Sequence, residues 1–174
     1  GTASNGKTFG AAISANDSVR VTGLQGESDH SATVSGTPVT SNVKTVRNVG
    51  SLSVAEGPAN PGPTTVVSTA SNVAMLQMRL STSSSEGINV TSVILRALGT
   101  GNDLTDIASN GIKLYVDVNS NGVFDSGTDQ FLAQAASFSA DDGTATFAIT
   151  GKTIAASSSE DWLVTYNFGG SETA

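Results

Sequence analysis

The run Asp117-Val118-Asn119-Ser120-Asn121-Gly122-Val123-Phe124-Asp125-Ser126-Gly127-Thr128-Asp129 places side-chain oxygens at every second residue, 117, 119 and 121, with a glycine at its sixth position. A chain with glycine there can wrap so that those oxygens converge. The seventh residue, Val123, then offers its backbone carbonyl, and Asp125 stands at the ninth position, where a ligand often acts through water. Asp129 closes the run. Hard oxygens in a flexible ring suit Ca²⁺, which accepts 6–8 of them, better than Mg²⁺. The expected ligands are Asp117, Asn119, Asn121, Val123, Asp125 and Asp129. With few carboxylates among neutral amides, the expected affinity falls in the extracellular class, about 10⁻⁴–10⁻³ M. The competing reading is a metal-free hairpin loop built from ordinary turn formers.

Other chemistry is thin. There is no cysteine, so no disulfide framework, thiolate metal site or cysteine nucleophile exists. The single histidine, His30, lies in Glu27-Ser28-Asp29-His30-Ser31. A triad is assembled from distant segments around a sharp nucleophile turn, and no G-x-S-x-G occurs, so His30 reads as a loop residue. Asp103, Asp106, Asp141 and Asp142 read as loop and turn residues, with a second cation site or a carboxylate pair as the sharper alternative. Asn16-Asp17-Ser18 and Asn89-Val90-Thr91 match the glycosylation acceptor pattern. Trp162, Tyr115 and Tyr166 could form a sugar platform, but the alternation around Trp162 and Tyr166 favours core packing. No nucleophile–base pair or cofactor motif is present, so the chain is not expected to be an enzyme.

The 174 residues suffice for one full-sized domain, or a domain plus an arm. Eight basic against fifteen acidic residues give a net charge of −7, which argues against a nucleic-acid partner. Aromatics are only 5%, while Ser and Thr supply 25 and 21 residues. Such chains suit thin all-β modules working outside the cell. No stretch approaches the roughly 20 apolar residues that span a bilayer. The opening Gly1–Gly10 is small and polar, as in a chain whose leader has been removed or a segment of a longer repeat protein.

Strand signals recur between turn residues, and helical periodicity is nearly absent. Strands are expected at Phe9–Ser14, Ser18–Thr22, Val43–Asn48, Ser51–Ala55, Thr64–Ser68, Val73–Leu80, Ile88–Leu98, Ile112–Val116, Gln130–Ala133, Ala136–Ser139, Thr144–Thr150 and Trp162–Phe168. Gly57–Pro63 holds three of the four prolines and must be a loop. In Val73–Leu80, Ala74, Leu76, Met78 and Leu80 should face a core, as should Ile112, Leu114 and Val116. Ile88–Leu98 alternates without declaring which set is inside. Gly99–Asn110 should be a loop pinned by Leu104 and Ile107. These elements predict an all-β fold, a two-sheet antiparallel β-sandwich of about ten short strands with Greek-key-like connections. A closed barrel is the second choice.

The 117–129 loop resembles the calcium loops of dockerins and thrombospondin type 3 repeats, and those inserted in bacterial surface β-sandwiches. It departs from an EF-hand loop in carrying Thr128, not a bidentate Glu or Asp, at the twelfth position, which leaves the last ligand open. From Val46 onward the chain resembles a module of secreted bacterial and archaeal surface proteins. Its marks are an opening strand like Gly50–Val54, the Asp-x-Asn-x-Asn-Gly loop and a closing strand like Trp162–Phe168. In that module, sequence like Lys7–Gly23 follows the last strand; here it stands first. The resemblance implies strands or an arm over 1–45 and a β-sandwich domain over 46–174. It implies that residues 1–26 either complete a neighbouring subunit, building a homopolymer, or belong to the previous repeat of an array. The alternative is that residues 1–45 fold back within the chain. The implied protein is a secreted or cell-surface, non-enzymatic filament or layer subunit; the rival is a carbohydrate-binding or adhesive module with glycan partners.

Overall fold

A computed structural model describes residues 6–15, 36, 38–46 and 49–169. The expected strand Ser18–Thr22, His30 with its neighbours and the acceptor pattern at Asn16 lie outside the described residues. The chain divides into two compact units, Gly1–Asn48 and Val49–Ala174.

The described residues of the first unit form four two-residue strands, β1 (Thr8–Phe9), β2 (Ala12–Ile13), β3 (Val39–Thr40) and β4 (Lys44–Thr45). β1 pairs antiparallel with β4, and β2 with β3. The expected strand Phe9–Ser14 is thus two short pieces, interrupted at Gly10 and Ala11, and within the described part of Val43–Asn48, residues 43–46, the strand covers Lys44–Thr45. Every described residue of these strands is exposed, Phe9, Ile13 and Val39 included. Two-stranded ribbons this short leave those apolar side chains uncovered.

The second unit holds β5 (Leu52–Glu56), β6 (Val73–Thr82), β7 (Ile88–Arg96), a one-turn helix α1 (Asp103–Asp106), β8 (Ile107–Val116), β9 (Gln130–Ala135), β10 (Thr144–Ile154) and β11 (Ser159–Phe168). An antiparallel five-stranded sheet runs β5-β6-β11-β8-β9, and β10 pairs with β7 in a second sheet. The fold is an all-β sandwich, as the alternation predicts. None of its described helices is long and apolar enough to cross a membrane.

The core fills the space between the layers. Met78 and Leu80 of β6, Ile112, Leu114 and Val116 of β8, and Trp162, Val164 and Tyr166 of β11 meet Phe147, Ile149 and Ile154 of β10. Trp162 is fully buried, and its indole N–H finds an acceptor in Glu160 at 2.9 Å, which satisfies the one polar atom of the ring. Along β7 the inward set changes phase. Val90 is inside at one end, and Val93, Leu95 and Ala97 pack inward at the other. The break coincides with an irregular register between Ala148 and Lys152 of β10, where four steps along β10 span two along β7.

Three expected elements differ. Thr64–Ser68 forms no strand: Pro61 and Pro63 precede it, and Val67 is exposed. Ala136–Ser139 is irregular, leading into the turn at Ala140–Gly143, where the Gly143 N–H donates to the Ala140 carbonyl. In Gly99–Asn110, Asn102 caps α1 by accepting from the Thr105 N–H, and Ile107 is buried while Leu104 stands exposed.

Candidate functional site

β8 delivers its last residue, Val116, to the inner face, so Asp117 falls on the outer face of the sheet. The Asp117 N–H still bonds the Asp161 carbonyl, which holds the start of the loop against β11. The chain then turns through left-handed backbone at Ser120 (φ 57°) and Gly122 (φ 72°). That turn brings backbone donors back to the first aspartate. Asp117 Oδ2 accepts from Gly122 N–H at 2.8 Å, and Oδ1 from Asn121 N–H at 3.2 Å. Glycine is required at 122 twice over: by its positive φ, and because a Cβ there would run into the Ala59 carbonyl.

The remaining expected ligands close the loop on itself. Asp125 Oδ2 accepts from the side-chain amides of Asn119 and Asn121, at 2.8 and 2.7 Å. These bonds hold the Asp125 carboxyl below the usual carboxylate range. Asp129 Oδ2 accepts from the Asp125 N–H at 2.9 Å, and Oδ1 from Val118 N–H at 3.3 Å. Val123 gives its N–H to Asn121 Oδ1, and its side chain is exposed. Thr128 at the twelfth position contributes a backbone N–H to the Asp125 carbonyl. Asp117, Asn119, Asn121, Asp125 and Asp129 therefore belong to one hydrogen-bonded loop, in which Asn119 and Asn121 turn their amide N–H groups to Asp125 and the three carboxylates do not draw together into one cluster.

Behind the loop lies a residue that the alternation does not single out. Gln77 of β6 is fully buried on the outer face of the sheet. Its Nε2 donates to Asp117 Oδ2 at 2.6 Å, and its Oε1 accepts from Ala59 N–H at 2.7 Å. Its own N–H donates to Asn60 Oδ1. The proline-rich loop 57–63 is thus tied to the 117–129 loop through one amide. Close approach of Gly57 to the Gln77 side chain allows it, since a Cβ at 57 would overlap that side chain. The only sequence signal is a lone amide inside the apolar run VAMLQMRL.

Beside Gln77, Arg79 makes a bidentate pair with Asp161, at 2.8 and 2.6 Å. The guanidinium, helped by a bond from Ser120, holds the buried Asp161 carboxyl below its ordinary range. Phe124 packs against Tyr115 at a 48° tilt with centroids 4.7 Å apart, and Phe131 meets Tyr115 edge-on at 5.7 Å. Burial, together with the charge of Asp129, pushes the Tyr115 hydroxyl up. Of the three expected aromatics, Trp162 and Tyr166 belong to the core, and Tyr115 lies on the opposite face.

Among the described residues, the one trio of carboxylates whose oxygens lie within 4.8 Å of one another is Asp103, Asp141 and Asp142. Asp106 is spent locally, accepting from Asn102 N–H and the Thr105 hydroxyl. Asn89 and Thr91 are both exposed on β7. Comparison of the chain with protein-family models, curated proteins and solved structures gives no match.

Proposed function

We propose that this protein is a non-enzymatic, calcium-stabilised structural subunit that joins copies of itself head to tail by β-strand donation in an extracellular filament or cell-surface layer. One observation carries the reading: among the described strands, a five-stranded layer is opposed by only two. β10 lies beside β9 at one side of the sandwich, and at the other side a groove of about 520 Å³ opens between β5, β6 and β7. Its walls are largely apolar, and a third strand in the smaller layer would cover them. Contacts of this head-to-tail kind do not close on themselves and so build filaments.

Calcium enters as a fastener. Held by Asp117, Asn119, Asn121, Asp125, Asp129 and the Val123 carbonyl, it would bind the folded state alone. At ten times its dissociation constant that adds roughly 1.4 kcal/mol of stability by mass action. Melting should rise by several degrees in millimolar calcium and fall with chelator. Asp117→Ala should abolish that response, and should cost about 1–3 kcal/mol without calcium because Gln77 Nε2 and Gly122 N–H lose their acceptor. Assembly is tested by electron microscopy and sedimentation of the chain with and without residues 1–26. Polymers that vanish on truncation are expected; a full-length chain that stays monomeric at high concentration with calcium rejects the assembly.

A glycan-binding module is the second reading, favoured by the aromatic trio Tyr115, Phe124 and Phe131 beside the loop, with Phe131 55% exposed. Binding on a glycan array that disappears in Phe131→Ala would select it.

A further inference from the structure

We infer that the incoming strand is the segment Lys7–Ser14 of a second copy, that it pairs with the free edge of β7 rather than that of β5, and that opposite charge draws it there. The inference rests on the assembly proposed above and assigns its contact.

Two sheet edges flank the groove. β5 pairs only with β6, and β7 only with β10, among the described residues. A strand added beyond β5 would extend the larger layer and cover none of the groove. A strand added beside β7 would extend the smaller layer over the inner face of β6 and β5, where Leu76, Met78 and Val54 line the groove opposite Val93, Ile94 and Leu95. Val54 is 60% exposed, and Val93 and Leu95 are only partly buried, apolar surface that a third strand would cover.

The occupant is argued from length, pattern and charge. β7 has nine residues, about 30 Å of strand, and Lys7–Ser14 extended spans about 27 Å. Phe9, Ala11 and Ile13 alternate, so an extended segment presents all three on one face. Among the described residues this segment makes four paired positions and three further bonds to Ser41 and Val46 in its own unit, and Phe9 and Ile13 remain exposed. Freeing it therefore gives up little.

Charge separates the two units sharply. Gly1–Asn48 carries four Lys or Arg against three Asp or Glu, a net +1, while Val49–Ala174 carries four against twelve, a net −8. Two sandwich units repel; a head and a sandwich unit attract. Glu56 stands on the groove wall, and Lys7 begins the segment. Such steering quickens encounter and weakens with salt.

The absence of native cysteine makes the contact testable by disulfide trapping. Full-length chains bearing Phe9→Cys, Ala11→Cys or Ile13→Cys are each mixed with a size-tagged chain bearing Val93→Cys, on the groove-facing side of β7, or with one bearing Leu52→Cys on β5, under mild oxidation. The expected result is a mixed cross-link to Val93→Cys from at least one head position, several-fold stronger than any to Leu52→Cys, and several-fold weaker in 0.5 M than in 0.02 M salt. Preferential trapping at Leu52→Cys, a yield indifferent to salt, or polymers that form with no mixed cross-link would overturn the inference while leaving assembly standing. Cross-links at β7 in small closed oligomers would uphold it and reject the filament. Chains that neither assemble nor cross-link reject both.

Discussion

The two faces of the five-stranded sheet solve burial in opposite ways. On the inner face, Leu80, Ile112, Leu114, Trp162 and Val164 meet only apolar neighbours and need no directional bond beyond the indole N–H. On the outer face, around the same β6, β8 and β11, Leu163 and Tyr115 are buried beside the polar groups Gln77, Asp117, Asp161 and Thr165. Three of those polar side chains have fixed partners, Gln77 with Asp117 and Ala59 and Asp161 with Arg79, while the Thr165 hydroxyl has none among the described residues. The inner face tolerates exchange of one apolar shape for another of similar volume; the outer face fails when a single partner is removed.

Substitutions should expose that contrast, the deepest first. Trp162→Ala, which empties the centre of the inner face, should lower unfolding free energy by about 3–5 kcal/mol in urea titration, while Trp162→Phe should cost clearly less. Gly122→Ala attacks the outer face. The left-handed backbone alone costs about 1–2 kcal/mol, and overlap of the new Cβ with the Ala59 carbonyl adds to it. The calcium response should weaken in that variant, whereas in Trp162→Phe it should persist.

The smallest effects come from pH, and the two faces should respond at opposite ends of the scale. Asp161 is held below its ordinary value of 3.8 by Arg79, so its contribution is present above that pH and is lost as pH falls through the depressed value. Arg79→Met should remove that acid limb. On the inner face, burial pushes Tyr166 from 10.0 up to about 12, with Asp103 adding to the shift. The unfolded chain ionises first, so this stability is full below pH 10.0 and drains away as pH rises toward about 12. Tyr166→Phe should flatten the alkaline limb. Melting curves at pH 3–5 and 9–12 check both; matching acid profiles for the chain and Arg79→Met would break the contrast.

The inner face was legible in the sequence because strict alternation marks it: Met78 and Leu80, Ile112 through Val116, and Trp162 through Tyr166 are inside as the pattern requires. The phase change in β7 was not legible, because it depends on an irregularity in a partner strand more than fifty residues later. The candidate loop was visible as spacing, with Asp117 through Asp129 named in order. Gln77, Asp161 and Ser120 were not, since each acquires its role from a residue 40 or more positions away. Alternation reports which side a residue takes, and is silent on what covers that side. Thr64–Ser68 shows the converse: β-branched composition without a partner edge makes no strand.

β11 lies between β6 and β8, and all six residues from Asp161 to Tyr166 are buried. Among the described strands it is also the last to be synthesised. Until Ser159–Phe168 has been made, β6 and β8 have no common neighbour and the indole at the middle of the core is missing. The sandwich therefore closes only once that strand is present, a late step in chain order, and pairings this distant along the chain make the closure slow.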